Sequence, residues 1–435
     1  MSTNNAADRP LNHRNLYRLP WTLTDTTDIW LEPTRKCNMR CEGCYSINDP
    51  ASYKTLQQIK EELDFTEKYR NAHTVSMAGG EPLIHPQIEE IIRLVSDRGY
   101  IPIILTNGLI LTPQILTKLK DAGLKKVMFH IDSRQKRPGW VGKNELELNE
   151  LRLTYARMVA DTKGLACGFN TMVYEDTLKY VPELLEWAER HINIVHTMAF
   201  LIFRPLWETK PKGRFEYFLK GKKVKIAPEL VYENIKGMRT DITSREIVQE
   251  IRKKYPDFEP SAYIGGTEEL DALKWLFTFR IGMKNEIYGY LGPKFAEMAQ
   301  VYHHLLYGKY SGYIGPKLNA RAKWMFLASF IDRNTAKALW NYLKSCLKNP
   351  LKLLSALHHQ TVLIIQALDI LADGRQSMCD GCPDLTPWKG RLVWSCRLEE
   401  FKRYGCFLTL TPAEKKSPPP ERKNNKILFK ERTLL

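Results

Sequence analysis

The feature that most constrains the fold is a regular alternation of short apolar segments and helical patterns between residues 28 and 203. The predicted strands are 28–33, 73–77, 101–105, 126–131, 165–173 and 192–203, and the predicted helices are 56–69, 88–97, 113–122, 144–161 and 177–190. Repeated strand–helix units predict a parallel sheet with right-handed crossovers. Six units favour an α/β fold built on an open, partial (β/α)6 TIM-like barrel over a closed eight-stranded one.

Three cysteines follow the first predicted strand in the segment R-K-C-N-M-R-C-E-G-C, which begins at Arg35. Cys37, Cys41 and Cys44 are separated by three and two residues, so their sulfurs can converge on one centre. A metal centre with three protein ligands keeps one position open, which is typical of chemistry and not of a structural site. A chance arrangement, or a zinc site with a remote fourth ligand, is the alternative interpretation.

Polar motifs also follow the next three predicted strands, and ligands gather at the carboxyl ends of such strands. The residues concerned are Gly79, Gly80, Glu81, Asn107, Asp132 and Ser133. Paired glycines let the backbone approach a ligand closely, and the adjacent carboxylate can receive an ammonium group. The polar groups after the third and fourth strands suit an amino acid or a ribose. Any one of these motifs alone predicts only a turn.

The cysteine loop after the first strand, G-G-E-P after the second and T-N-G after the third together resemble the radical S-adenosylmethionine (SAM) superfamily. The resemblance covers about residues 28–203. It implies that Cys37, Cys41 and Cys44 hold a [4Fe–4S] cluster that binds SAM, with Gly79, Gly80 and Glu81 at the SAM amino group. It also implies reductive cleavage of SAM to a 5′-deoxyadenosyl radical, with electrons from a donor such as ferredoxin or flavodoxin.

The sequence departs from the pattern of this family at one position. The family often has an aromatic residue just before the third cysteine, whereas this chain has Gly43 there and Tyr45 just after it. The packing of the adenine is therefore expected to differ, while the three cysteine ligands are unaffected.

A second group of cysteines, Cys379, Cys382, Cys396 and Cys406, lies near the C-terminus. The segment L-T-P-W-K-G-R-L-V-W-S predicts a β-hairpin that turns at its K-G pair and carries Cys396 back beside the first two. A four-thiolate zinc ribbon is one interpretation. The spacing is also similar to the auxiliary-cluster region of SPASM/twitch radical SAM enzymes, which implies a second [4Fe–4S] cluster on Cys379, Cys382 and Cys396. Cys406 then either closes that cluster or leaves one iron open to substrate.

The net charge of +16 arises partly from two stretches, 204–225 with eight basic and two acidic residues and 411–435 with seven and three. Such charge attracts nucleic acid, anionic lipid or an anionic substrate, and it also occurs on solvated surfaces. No zinc-finger, helix-turn-helix or RNA-binding signature is present, so no nucleic-acid partner is expected. Without a long apolar run or a signal-peptide pattern, we expect a cytoplasmic protein with reduced cysteines and no transmembrane helix.

Composition divides the chain into five parts. We expect a loose leader at 1–27, the radical SAM partial barrel at 28–204, a basic and mostly helical insert or lid at 205–375, the auxiliary-cluster region at 376–410, and a disordered basic tail at 411–435. The apolar segments 323–332 and 351–372 are expected to be buried helices of the insert. Alternatively, they line an apolar cleft or face a membrane surface.

We therefore expect a radical SAM enzyme that abstracts hydrogen from, or adds to, an unreactive carbon of a bulky lipid or isoprenoid-like substrate. The aromatic and apolar insert beside a basic stretch is the reason for this choice, and it also indicates peripheral membrane contact. Two alternatives stay open. One is a peptide-modifying or cofactor-maturation radical SAM enzyme, and the other is a non-catalytic metal-binding or interaction protein.

Overall fold

The computed structural model describes residues 9–205, 215–227, 230 and 238–413. The start of the leader, part of the basic stretch after residue 205 and the tail from residue 414 lie outside the described residues. The expectations for those parts stay predictions.

A large sheet with helices packed against it forms the body of the protein, which confirms the predicted α/β class. The strands are β1 (Tyr17–Arg18), β2 (Asp28–Thr34), β3 (Thr74–Gly79), β4 (Ile101–Thr106), β5 (Lys126–His130), β6 (Ala166–Val173), β7 (Thr197–Ile202), β8 (Phe215–Leu219), β9 (Lys222–Val224), β10 (Ala262–Ile264), β11 (Trp275–Met283), β12 (Glu286–Leu291), β13 (His358–Gln366), β14 (Asp369–Ile370), β15 (Gln376–Ser377), β16 (Leu385–Trp388), β17 (Arg391–Trp394) and β18 (Thr409–Pro412). The helices are α1 (Leu56–Tyr69), α2 (Ile88–Asp97), α3 (Pro113–Asp121), α4 (Asn149–Thr162), α5 (Val181–Arg190), α6 (Ser244–Lys254), α7 (Pro293–Tyr307), α8 (Pro316–Asn319), α9 (Arg333–Lys348) and α10 (Leu398–Tyr404). Among the described residues, no helix is both long and apolar enough to cross a membrane.

The first half of the large sheet is the predicted partial barrel. Strands β2 to β7 lie side by side in chain order, and each neighbouring pair is parallel. The crossovers pass through α1 to α5, which bury an apolar stripe; in α2 the buried residues include Ile88, Ile91 and Val95, at the spacing of one helix face. The carboxyl ends of the six strands therefore meet at one edge, where the predicted motifs lie.

Four further strands extend this sheet beyond β7. β13 pairs in parallel with β7, β11 pairs antiparallel with β13, and β10 and β1 complete the row. The expectation of a helix at 351–372 is therefore wrong, because the structure has β13 there. In its sequence, H-H-Q-T-V-L-I-I-Q, fully and partly buried positions largely alternate. This two-residue period is typical of a strand, whereas the apolar content alone fits a strand or a helix. Helices α6 to α9 occupy much of the remaining insert.

The leader is more ordered than predicted. From residue 9 onwards it packs on the protein, with Leu11, Leu16, Leu19 and Trp21 buried. β1 pairs with β10 and so covers backbone groups at the edge of the extended sheet. The expectation of a loose leader is wrong for this described part, because its leucines and tryptophan bury apolar surface.

The C-terminal cysteine region packs beside both edge strands of the large sheet. The predicted hairpin is present as β16 and β17, and Lys389 at its turn has a φ of 46°. β16 packs against β2 and α1. The backbone of Cys379 forms an isolated antiparallel β-bridge with that of Gly266, just after β10. The guanidinium of Arg70, at the end of α1, donates to the carbonyls of Cys382 and Pro383 at 3.1 Å each. These contacts place the second cysteine set against β2.

Candidate active site

The cysteine loop lies directly after β2 and is held by polar contacts. Oδ1 of Asn48 accepts from the Cys37 N–H at 3.0 Å, and Nδ2 of Asn48 donates to the Cys37 carbonyl at 3.1 Å. Burial raises the pKa of the Cys41 thiol, and Asp132 and the thiols of Cys44 and Cys37 raise it further. The three predicted thiols therefore lie within electrostatic reach of one another.

The G-G-E motif after β3 packs directly on the start of this loop. The Gly80 N–H donates to the Thr34 carbonyl at 2.9 Å. A Cβ on Gly80 would lie 2.1 Å from the carbonyl oxygen of Lys36, so no larger residue fits there. Gly79 has a φ of +100°, which also favours glycine. Both predicted glycines are needed for this contact between motif and cysteine loop.

Glu81 attaches the G-G-E motif to the loop after β4. Its Oε1 accepts from the Thr106 hydroxyl at 2.6 Å and from the Leu83 N–H at 3.0 Å. Its Oε2 accepts from the Asn107 N–H at 2.7 Å. The carboxylate is buried, and its role at the SAM amino group stays a prediction. Nδ2 of Asn107 in turn donates to Oδ1 of Asn38, between the first two cysteines, at 2.8 Å.

Glu42, between the second and third cysteines, attaches the cysteine loop to the loop after β5. Its N–H donates to the Arg134 carbonyl at 3.0 Å. Its carboxylate pairs with the guanidinium of Arg134 and the ammonium of Lys136, both at 3.1 Å. Backbone and side-chain bonds together therefore fix the distance between the two loops.

The two predicted site residues after β5, Asp132 and Ser133, have different partners. Oδ2 of Asp132 lies 2.7 Å from Nε2 of His130, and the Ser133 N–H donates to Oε1 of Glu145 at 2.7 Å. Asp132 is buried and lies close enough to Cys41 to raise its pKa. Asp132 therefore lies near the cysteine loop, whereas Ser133 forms a hydrogen bond within the loop that follows β5.

Arg137 is a site residue that the sequence prediction missed. The side chain is buried, and its Nη2 donates to the Asn107 carbonyl at 2.7 Å. Its Nε and Nη1 are buried without a hydrogen-bond acceptor among the described residues. Burial lowers the pKa of Arg137, while Tyr155, Cys41 and Asp132 counteract that shift. Unpaired donors on a buried cation beside the three thiols fit an anionic group such as the SAM carboxylate.

The structure supplies a reason for the glycine before the third cysteine. Gly43 has a φ of +72°, and a Cβ there would lie 2.7 Å from Cε2 of Phe203 and 2.8 Å from the Tyr174 hydroxyl oxygen. These two rings stack at 5.1 Å, and the Tyr174 hydroxyl donates to the Glu42 carbonyl at 2.9 Å. Aromatic side chains that follow β6 and β7 therefore occupy the space beside Gly43.

No three His, Cys, Asp or Glu side chains in the described parts of the chain surround the position of a single metal ion. A [4Fe–4S] cluster is bound differently, because each thiolate binds its own iron at a separate corner. Three nearby thiols and the unpaired donors of Arg137 therefore fit a cluster with an anionic ligand.

The second cysteine set is assembled as predicted for three of its four members. A hydrogen bond with Cys379, together with burial, raises the pKa of Cys382 well above its usual value. Burial, together with the neighbouring Cys379 thiol, raises the pKa of Cys396 to about 12. Cys406 lies after α10, and within the described residues it is not among the groups that shift these two thiols. Its role as a ligand stays a prediction.

The two cysteine sets are neighbours. Burial raises the pKa of Tyr45 well above its usual value, and nearby acidic groups that include Cys44 and Cys396 raise it further. The Tyr45 hydroxyl is therefore within reach of both sets. Nη2 of Arg35 also binds Oε2 of Glu399 at 2.7 Å, which joins the start of the cysteine loop to α10.

A cavity of about 1070 Å³, called the lumen below, lies inside the curved sheet. Its wall includes Trp30, Leu105 and Asp384, which are close in sequence to the two cysteine sets or to T-N-G. Much of the wall is apolar and comes from strands of both halves of the sheet, with Ile103, Met128, Ala199, Leu201, Trp275, Phe277, Leu363 and Ile365. Tyr302 and Leu327 also line the lumen yet are exposed to solvent, so the lumen opens at the insert.

Residues 31–193 match the family model of the radical SAM superfamily. This part of the chain is a radical SAM domain, and proteins of that superfamily use a [4Fe–4S] cluster and SAM.

Three known relatives are similar to parts of the chain. The tungsten-containing aldehyde ferredoxin oxidoreductase cofactor-modifying protein of Pyrococcus furiosus is 27% identical over 172 residues, covering 37% of this chain and 47% of that protein. The 7,8-dihydro-6-hydroxymethylpterin dimethyltransferase of Methanocaldococcus jannaschii is 26% identical over 187 residues, covering 39% and 35%. The probable GTP 3′,8-cyclase of the same organism is 28% identical over 231 residues, covering 51% and 70%. The chain spans about half or less of the length of the first two.

Solved structures also resemble parts of the protein. SuiB of Streptococcus suis bound to the precursor peptide SuiA has a TM-score of 0.33 at 15% identity, covering 42% of this chain and 40% of SuiB. The structure of anSMEcpe with bound AdoMet has a TM-score of 0.35 at 15% identity, covering 43% and 54%. At these scores neither likeness bears on the substrate.

Proposed function

We propose that this protein is a radical SAM enzyme whose substrate is a long apolar molecule, such as a lipid or an isoprenoid, held in the lumen. The observation that carries the proposal is the lumen itself, about 1070 Å³ in volume, with a wall that is largely aliphatic and aromatic. Each buried methylene contributes about 0.8 kcal/mol, so an apolar chain would bind there firmly. Two wall residues adjoin the cysteine sets, since Asp384 shifts the pKa of Cys396 and Trp30 contacts the ring of Tyr45, so a reacting carbon would lie near the chemistry.

In this proposal Cys37, Cys41 and Cys44 hold the first [4Fe–4S] cluster, and Arg137 binds the carboxylate of SAM. When bound, the cluster and SAM supply a 5′-deoxyadenosyl radical that abstracts hydrogen from, or adds to, an unreactive carbon. The unpaired Nε and Nη1 of Arg137 point in different directions, and either one offers a charge-assisted hydrogen bond to a carboxylate oxygen.

The remaining site residues position this machinery. Glu81 accepts one hydrogen bond from the Asn107 N–H and two more from Thr106 and Leu83, and Asn107 in turn binds the cysteine loop. Glu42 and Arg134 fix that loop to the loop after β5. The burial of Glu81 and Asn107 keeps water away from the reacting atoms, which a radical requires.

We further propose that Cys379, Cys382 and Cys396 hold a second [4Fe–4S] cluster. In this proposal Cys406 is not a ligand, because it is not among the groups that shift the pKa of Cys382 or Cys396. One iron would then lack a protein ligand. The position of this set near Tyr45 and the first set supports electron transfer between two clusters, with a ferredoxin or flavodoxin as the donor.

A cytoplasmic location at a membrane surface belongs to the same proposal. Reduced clusters need a reducing compartment, and long apolar substrates are dissolved in bilayers. Peripheral contact would suffice, since the described helices are too short or too polar to cross a membrane.

Cofactor maturation is the second candidate, because the relatives are named for cofactor modification and for GTP cyclisation. A pterin or a nucleotide is polar and would leave its hydrogen-bonding groups unpaired against the apolar wall of the lumen.

The test uses the full chain, purified without oxygen and reconstituted with iron and sulfide. Organic extraction followed by mass spectrometry should recover a lipid from the lumen. Polyisoprenoid alcohols or a membrane-lipid extract should increase 5′-deoxyadenosine formation from SAM, and GTP or pterins should not. A lumen free of lipid, together with stimulation by GTP or pterins alone, would contradict the proposed substrate and support cofactor maturation.

A further inference from the structure

Four neighbouring helical segments of the insert expose large apolar side chains to solvent. The segments are α7, Ala322–Phe330, α9 and Pro350–Leu353. The side chains of Phe330, Leu354 and Leu347 are among the most exposed, at 90%, 86% and 83%. Single exposed leucines are common on proteins, but a contiguous set of this kind marks an interaction surface. We call this surface the insert face.

The exposure follows from the packing of the segments and not from a loose end. Their inner sides share one core, which includes Phe295, Phe326 and Tyr342. On α9, for example, Tyr342 is buried while Trp340 and Leu347 lie on the outer side. Because the inner sides are fixed, the apolar outer sides are held towards solvent.

The charge around the insert face points to one kind of partner. Residues 298–354 contain nine lysines and arginines and one acidic residue, Asp332. Asp332 is buried and caps α9 by accepting from the Thr335 N–H at 2.8 Å. Two of the nine cations pair with carboxylates outside this range, Lys337 with Asp257 and Lys352 with Glu286, and an excess of cations remains. Apolar side chains interleaved with cations are typical of a helix face that lies in the headgroup region of an anionic bilayer.

The insert face is continuous with the mouth of the lumen. Tyr302, Leu318, Trp324 and Leu327 line the lumen and are also exposed to solvent. A molecule that leaves the bilayer at this face would therefore enter the lumen without crossing water.

We propose that the insert face docks the protein on an anionic lipid bilayer and that the substrate enters the lumen through it. This inference rests on the proposed function, because it supplies the route by which an apolar substrate reaches the site. Insertion of Phe330, Leu347 and Leu354 into the acyl boundary provides the apolar contribution. The surrounding cations bind anionic headgroups, and each contributes about fivefold to the affinity.

Flotation of the full, reconstituted chain with vesicles tests the proposal. Vesicles of phosphatidylcholine with phosphatidylglycerol should carry the protein, and vesicles of phosphatidylcholine alone should carry at least tenfold less. The combined variant F330S/L347S/L354S should reduce binding at least tenfold. The variant R333Q/K348Q should reduce it about 25-fold, and added salt should weaken the wild type in the same way.

The matched control is V141S/L270S, which removes two exposed apolar side chains, 70% and 58% exposed, outside the insert face. It should bind vesicles like the wild type. All variants should keep the wild-type melting temperature and iron content, because none of these side chains lies in the core or beside either cysteine set.

Two results would overturn the proposal. One is wild-type protein that does not float with anionic vesicles. The other is a wild-type dimer, measured by light scattering, that dissociates in F330S/L347S/L354S, since a second copy would then cover the insert face. Formation of 5′-deoxyadenosine separates this proposal from the proposed function. An enzyme that cleaves SAM but does not bind vesicles refutes the docking alone, and vesicle binding without SAM cleavage refutes the enzymatic proposal.

Discussion

Filling the lumen at Ala199 should weaken the binding of a long apolar chain by roughly 200-fold. Ala199 is a buried residue of β7 that pairs with Asn170 of β6 and Leu363 of β13, and its side chain lines the lumen. The indole of A199W would displace about four methylenes of a bound chain. At about 0.8 kcal/mol for each methylene, the loss is about 3.2 kcal/mol, which corresponds to that change in Kd.

Fluorescence titration with cis-parinaric acid, a long-chain fatty acid, measures this change directly. The control A199S keeps the lumen open and should bind the fatty acid within a few-fold of the wild type. The new ring enters open space and not a packed core, so thermal unfolding and SAM binding should stay unchanged. If A199W folds normally and binds the fatty acid as tightly as the wild type, the chain does not lie in the lumen and this reasoning is refuted.

Three further predictions concern other parts of the protein. Replacement of Arg137 by methionine should weaken SAM binding roughly 10- to 100-fold in equilibrium dialysis, with partial recovery in R137K, because the buried carboxylate of SAM loses its cationic donor; unchanged binding would exclude this role. Iron analysis should give about eight irons per chain for the wild type and for C406S but about four for C396S. A loss of iron in C406S would show that Cys406 is a ligand. Burial lowers the pKa of His196 to about 4 and that of His359 to about 3. Both histidines therefore stay neutral in the folded protein between pH 7 and pH 5, whereas in the unfolded chain they take up protons below a pKa of about 6.5. Urea unfolding should therefore lose about 2 kcal/mol of stability for each histidine between pH 7 and pH 5, and H196Q should remove its share; an equal slope in H196Q would contradict this assignment.

The parallel half of the fold could be predicted because its signals are local. The helices Leu56–Tyr69 and Ile88–Asp97 have the bounds that their apolar periodicity indicates. The strand-end motifs came together because the carboxyl ends of parallel strands must share one edge. The three thiols of the first loop needed only their own spacing.

The second half depended on contacts between distant residues. β13 is a strand because it pairs with β7 and β11, which both precede it by more than seventy residues, and its apolar content alone did not separate strand from helix. Arg137 acquires its role only through burial beside the cysteine loop. Phe203 and Tyr174, from the ends of two strands, fill the space beside Gly43, and no local pattern indicates this.

The most direct test of the central claim is the formation of 5′-deoxyadenosine by the reconstituted full chain with SAM and dithionite, measured by chromatography with mass detection. The wild type should produce 5′-deoxyadenosine and methionine, and C41A should produce neither. A wild-type protein with a full complement of iron and bound SAM that releases no 5′-deoxyadenosine, with or without a polyisoprenoid, would contradict the enzymatic account.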